Sequence, residues 1–166
     1  MFRRFGRGAS DKPAATTATQ GQQAADTYAR ILAQVPLFLD LSKRELQRLS
    51  VGCVQRDYPA GAVLVRQGDP GVGLFILVSG RVRVSQHQDG GDERELAIMG
   101  PGEVLGEMTL LDDLPRSATV TALEATRVLL LPFQDFRAAL REDADITIKL
   151  LAVVSRRLRR AETRPY

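Results

Sequence analysis

The chain has 166 residues, enough for one domain with short extensions, and its 44% hydrophobic content can fill a core. A formal net charge of +3 is too mild to point to nucleic acid by itself. One cysteine, Cys53, rules out an internal disulfide, and with a single histidine, His87, no zinc site of ordinary ligand count can be assembled.

Cys53 lies in an apolar stretch and reads as a buried small hydrophobe in a reduced, cytoplasmic chain. His87 sits in a polar turn and reads as solvated. No run approaches the ~18 apolar residues of a membrane span. The start, Met1-Phe2-Arg3-Arg4-Phe5-Gly6-Arg7-Gly8, is basic but lacks the apolar stretch of a signal peptide.

Residues 1–26, rich in Ala, Thr, Gln, Gly and Ser, read as a disordered basic and polar tail. A domain is expected over 27–166. Tyr28, Ile31, Leu32 and Val35 recur at helical spacing, and Pro36 ends that helix. Asp40 or Ser42 can cap a second short helix; Glu45, three residues after Ser42, completes a capping box. Leu41, Leu46 and Leu49 form its buried stripe.

After Cys53 the texture becomes β. Val63-Leu64-Val65, the apolar run Leu74-Phe75-Ile76-Leu77-Val78, the alternating Arg81-Val82-Arg83-Val84-Ser85, and Glu95-Leu96-Ala97-Ile98-Met99 read as strands. Turns separate them, with a hairpin tip at 88–92. Two more strands are expected at 118–123 and 126–131. Short strands at spacings near ten residues indicate a jelly roll over about 54–131.

From Pro132, which suits a first helical turn, helical spacing returns through about 163. Phe133, Phe136 and Leu140 share one face. Asp143 or Asp145 starts a last helix carrying Ile146, Leu150, Val153, Val154 and Leu158. Leu151 widens that apolar face beyond what one domain needs, which points to a homodimer through this helix. Its basic end, Arg156-Arg157-Leu158-Arg159-Arg160, matches the helix dipole. The expected class is α+β, mainly β: an antiparallel jelly-roll β-barrel with short N-terminal helices and C-terminal helices.

The most informative stretch is 104–120. Gly106 lets backbone approach a ligand closely. The residues after it can form one helical turn whose free amides bind phosphate. Arg116 supplies a planar fork for phosphate oxygens, and Ser117 adds a hydroxyl. Glu107 would repel an anion, so its role beside a phosphate is to accept from a ribose hydroxyl. Either charged residue alone reads as half of a surface ion pair. Together with Gly106 and Pro115-Arg116-Ser117-Ala118-Thr119-Val120, they read as a pocket for a singly charged ligand with a free hydroxyl.

This stretch resembles the phosphate-binding cassette of cyclic-nucleotide-binding domains of the catabolite activator protein and protein kinase A regulatory subunit type. Phe75-Ile76-Leu77-Val78-Ser79-Gly80 and Gly100-Pro101-Gly102-Glu103-Val104-Leu105-Gly106-Glu107 also look like that family's strands and turns. The resemblance covers about 27–162. It implies that Glu107 binds the ribose 2′-hydroxyl. Arg116 and Ser117 would hold the cyclic phosphate with amides around Met108 and Thr109. Val84, Leu96 and Ala97 would flank the ribose or purine. It also implies a lid from the last helix, with Glu162 or Thr163 reaching the base and Arg157 pairing with Glu107.

Three residues depart from the pattern: Thr109 stands where the family has a small residue, and Asp112 and Asp113 add negative charge nearby. Ser117 is compatible with cAMP, where a threonine would lean toward cGMP. The expectation is a non-enzymatic sensor of cAMP or cGMP that signals by movement of its C-terminal helices to an effector protein encoded elsewhere. No other cofactor is expected. The alternative is a degenerate, ligand-free dimerisation or scaffold module. The activator-type proteins carry a helix-turn-helix after the long helix; the sequence stops at Tyr166, so no specific DNA binding is expected. A single histidine argues against metal-dependent jelly-roll catalysis, and no Walker-type loop is present.

Overall fold

The helical lead-in is longer than its apolar spacing indicates. The computed structural model describes residues 14–88, 91–106 and 114–162. In it α1 spans Ala14–Leu32, so the part of the expected tail from 14 to 26 is helix; residues 1–13 lie outside the described residues. The segment is Ala- and Gln-rich, and such residues favour helix with little to bury. Leu32, Val35, Leu37 and Phe38 are buried where the helix gives way to a 3-10 turn, Pro36–Phe38. Next, α2 (Lys43–Ser50) starts with the expected capping box. Ser42 Oγ accepts from Glu45 N–H, while Ser42 N–H donates to Glu45 Oε2 at 2.5 Å. Leu41, Leu46 and Leu49 are buried as their spacing predicts.

Among the described residues eight strands follow: β1 (Val54–Tyr58), β2 (Val63–Val65), β3 (Gly73–Ser79), β4 (Val82–His87), β5 (Glu93–Met99), β6 (Val104–Leu105), β7 (Thr119–Ala122) and β8 (Thr126–Pro132). They form two antiparallel four-stranded sheets, ordered β1-β8-β3-β6 and β2-β7-β4-β5. This is the expected mainly β architecture. His87 closes β4 rather than sitting in a turn, its backbone N–H donating to Gln67 Oε1 at 2.7 Å. In the expected hairpin tip, Gln88 N–H donates to Asp92 O; residues 89 and 90 lie outside the described residues.

The run 74–78 is apolar throughout because β3 is covered on both faces. Leu74 and Ile76, with Leu129 and Leu131 of β8, pack against the helices. Phe75 and Leu77, with Val128 and Leu130, point into the space between the sheets.

The described residues end in α3 (Phe133–Glu142) and α4 (Ala144–Glu162). Pro132 closes β8 and occupies the N-cap of α3, one position earlier than expected. Asp143 Oδ1 accepts from the N–H groups of Asp145 and Ile146 and so caps α4. Ile146, Leu150 and Val153 join the helical side of the core. Ion pairs tie this end to the lead-in: Arg48 to Asp143 at 2.6 Å, Lys149 to Glu45 at 2.8 Å, and Arg156 to Asp40. Ile148 and Leu151 remain 63% exposed and Leu158 60%. Cys53 is buried, with its thiol toward Leu49 O, and burial pushes its pKa up to about 12. No described helix is long and apolar enough to cross a membrane.

Candidate functional site

Strand pairing fixes the first half of the site. β6 pairs with β3 through Phe75↔Leu105, which leaves Gly106 at the strand end beside the Phe75 position. Gly106 has φ +81, in the left-handed region that favours glycine. A Cβ there would overlap Nη1 of Arg116, so any larger residue would push the guanidinium from its place.

The turn between β2 and β3 holds the second half. Arg116 N–H donates to Asp69 O at 2.9 Å, and Gly68 N–H donates to Arg116 O at 2.8 Å. The side chain turns inward and is only 6% exposed. Its Nη2 donates to Gly73 O at 2.6 Å, and its Cζ lies 5.7 Å from the Phe75 ring and 5.8 Å from the Phe133 ring. Burial lowers its pKa, yet guanidinium remains protonated. No described carboxylate pairs with it in an ion pair. A buried cation held by a carbonyl and two rings is suited to attract an anion, since its charge is poorly screened there. A cavity of about 180 Å³ opens beside it, lined by Val65, Arg66, Asp69 and Val72 among others.

Ser117 is exposed, and its carbonyl accepts from Gln86 Nε2 at 3.0 Å. Beyond it β7 lies next to β4, and β4 next to β5, so Val120, Val84 and Ala97 stand in one register row. Val84 is half-buried and Ala97 exposed. A bulge follows: Ser85 pairs with Glu95, which makes Leu96 the extra residue and leaves it 47% exposed.

The structure thus joins Gly106 to Arg116, and Val84 to Ala97. Glu107, Met108 and Thr109, with Asp112 and Asp113, lie outside the described residues, as does Thr163. Arg157 and Glu162 lie on α4, but their side chains are not among those described. Sequence reasoning missed Gly73, Phe75 and Phe133 as the partners of Arg116. Gly73 carried a faint signal, a glycine opening an apolar strand; a Cβ there would run into Leu131 O. Among the described residues no group of three His, Cys, Asp or Glu could hold a metal.

The model of one family, described as the cyclic nucleotide-binding domain, matches residues 55–143. The chain is 41% identical over 127 residues to the "Cyclic AMP receptor protein" of Thermus thermophilus, covering 76% of this chain and 59% of that protein. Among solved structures it matches the N-terminal domain of a transcriptional regulator from Streptomyces coelicolor A3(2). There the TM-score is 0.74 at 32% identity, over 82% of this chain and 98% of that one. It also matches the regulatory domain of Toxoplasma gondii PKA co-crystallised with cAMP. That match has a TM-score of 0.65 at 32% identity, over 78% of this chain and 46% of that one. The chain spans 59% and 58% of the length of the first curated relatives it matches.

Proposed function

The chain belongs to the cyclic nucleotide-binding domain family, a regulatory rather than a catalytic one, and from that premise we propose that it is a non-enzymatic sensor of cAMP. The observation that carries this reading is the buried Arg116 guanidinium, packed against Gly106 with no described carboxylate to neutralise it. Arg116 and Ser117 hold the cyclic phosphate, with amides of Gly106, Met108 and Thr109. Glu107 accepts from the ribose 2′-hydroxyl, and Val84, Leu96 and Ala97 wall the ribose and purine. The carboxylate beside the phosphate disfavours a more highly charged nucleotide.

Signalling follows if the ligand binds one arrangement of α3 and α4 better than another. In the closed arrangement Glu162 or Thr163 meets the base and Arg157 approaches Glu107. The exposed face of α4, carrying Ile148, Leu151 and Leu158, joins a second copy, and an effector protein reads the change.

Titration calorimetry with cAMP and cGMP on ligand-free protein tests the site. Arg116→Ala should weaken cAMP binding by about tenfold or more, as expected for a charged hydrogen bond of ~1.5–3 kcal/mol. The absence of heat from wild type with either nucleotide would overturn the sensor reading and leave a ligand-free scaffold of the same fold.

A further inference from the structure

The cation at the site touches the first residue of the C-terminal helices. Arg116 Cζ lies 5.8 Å from the centroid of Phe133, and Phe133 opens α3. Phe133 is buried, and its N–H donates to Val72 O at 3.2 Å. The next residue, Gly73, accepts from Arg116 Nη2 and pairs in register with Pro132. The guanidinium, the start of β3 and the junction of β8 with α3 therefore close a ring of contacts. An aliphatic side chain of similar size would fill the same space without the same attraction. A guanidinium is drawn to the quadrupole of an aromatic face, not to bulk alone.

We infer that Phe133 is the positioning residue through which anion occupancy at Arg116 reaches α3 and α4. The inference rests on the nucleotide-binding reading above. An anion on the guanidinium offsets its charge and competes with the ring for it. The contact between Arg116 and Phe133 then differs in strength between the empty and the filled site. A contact of that kind is what a ligand needs in order to shift a conformational equilibrium. Arg137, four residues further along α3, lies 6.0 Å from the same ring, so a shift of Phe133 is also felt within the helix.

The test combines calorimetry with amide hydrogen exchange in the presence and absence of cAMP, on wild type, Phe133→Leu and Phe133→Tyr. Phe133→Leu keeps the apolar bulk and removes the π face. With the competing contact gone, it should tighten cAMP binding by about three- to tenfold and shrink the cAMP-induced change of exchange in α3 and α4 to less than half. Phe133→Tyr should restore both. If Phe133→Leu does not fold, Phe133→Met removes the same ring. A folded Leu or Met variant with wild-type affinity and wild-type exchange changes would overturn the relay while leaving the sensor reading intact. A wild type that binds no nucleotide would overturn the sensor reading, and the relay with it.

Discussion

Glu45 and Lys149 meet across 104 residues of chain: Lys149 Nζ donates to both carboxylate oxygens of Glu45, at 2.9 and 2.8 Å. The same carboxylate accepts from the backbone of Ser42, so one side chain both caps α2 and fastens α4. Burial raises the Glu45 pKa, but hydrogen bonds from Lys149 and Ser42 outweigh it, and the group ends below its ordinary 4.5. Its contribution is complete above that ordinary value and is lost as pH falls through the lower folded-state one. The melting temperature of wild type should therefore fall at the acid end of a pH series. Glu45→Gln, which carries no titrating group there, should lose less over the same window; an equal loss in both proteins would contradict the assignment.

Ser42→Ala removes the hydroxyl half of the capping box. Urea unfolding should show a loss of about 0.5–1 kcal/mol, with an unchanged denaturant slope. The bond from Glu45 N–H is long, 3.4 Å, which puts the expected loss at the low end for caps.

Gly106→Ala meets two obstacles, a φ of +81 and the Arg116 guanidinium in the space of its methyl group. Strain of this kind costs about 1–3 kcal/mol. We expect a lower melting temperature and at least ~tenfold weaker cAMP binding, because Arg116 must move. Calorimetry with unchanged affinity would show that Gly106 is not needed for the close approach.

Phe136 is fully buried, and its ring lies 6.2 Å from that of Phe38, joining α3 to the lead-in. Phe136→Ala should cost about 3–5 kcal/mol, a large share of the roughly 5–15 kcal/mol that keeps a domain folded, and so lower the melting temperature markedly. Circular dichroism melts read this directly.

Leu150 and Leu151 are adjacent on α4 and face opposite environments, at 3% and 63% exposure. Leu150→Asp puts a charge in the core and should unfold the helical side of the molecule. Leu151→Asp should change monomer stability by no more than about 0.5 kcal/mol. If the exposed face of α4 forms a dimer, light scattering will show a dimeric mass for wild type and a monomeric one for Leu151→Asp. The same mass in both would dismiss that interface.

Most strands were legible because glycine turns punctuate them and because β3 and β4 announce their environments, one apolar throughout, the other alternating; β1 was not, because its run Val54-Gln55-Arg56-Asp57-Tyr58 is largely polar and exposed. Ser42 and Glu45 were legible because a capping box is a local pattern. Residues 14–26 were not, since a helix sustained by propensity leaves no apolar periodicity to find. Arg116 stood out by its spacing from Gly106. Its anchor did not: the acceptor is the backbone carbonyl of Gly73, 43 residues away, and a carbonyl has no signature in a sequence. Phe133 likewise read as ordinary core, because nothing in its own segment reveals that a cation lies against its ring.

The burial of Cys53 has a practical consequence. Its thiol is shielded and its pKa is raised to about 12, so thiol reagents at neutral pH find almost no thiolate there. It is the chain's one cysteine. A cysteine introduced at exposed Asp145, at the start of α4, would then accept a spin label or dye site-selectively, with the native thiol left in place. The movement of α4 could be followed by spectroscopy in an otherwise unaltered protein.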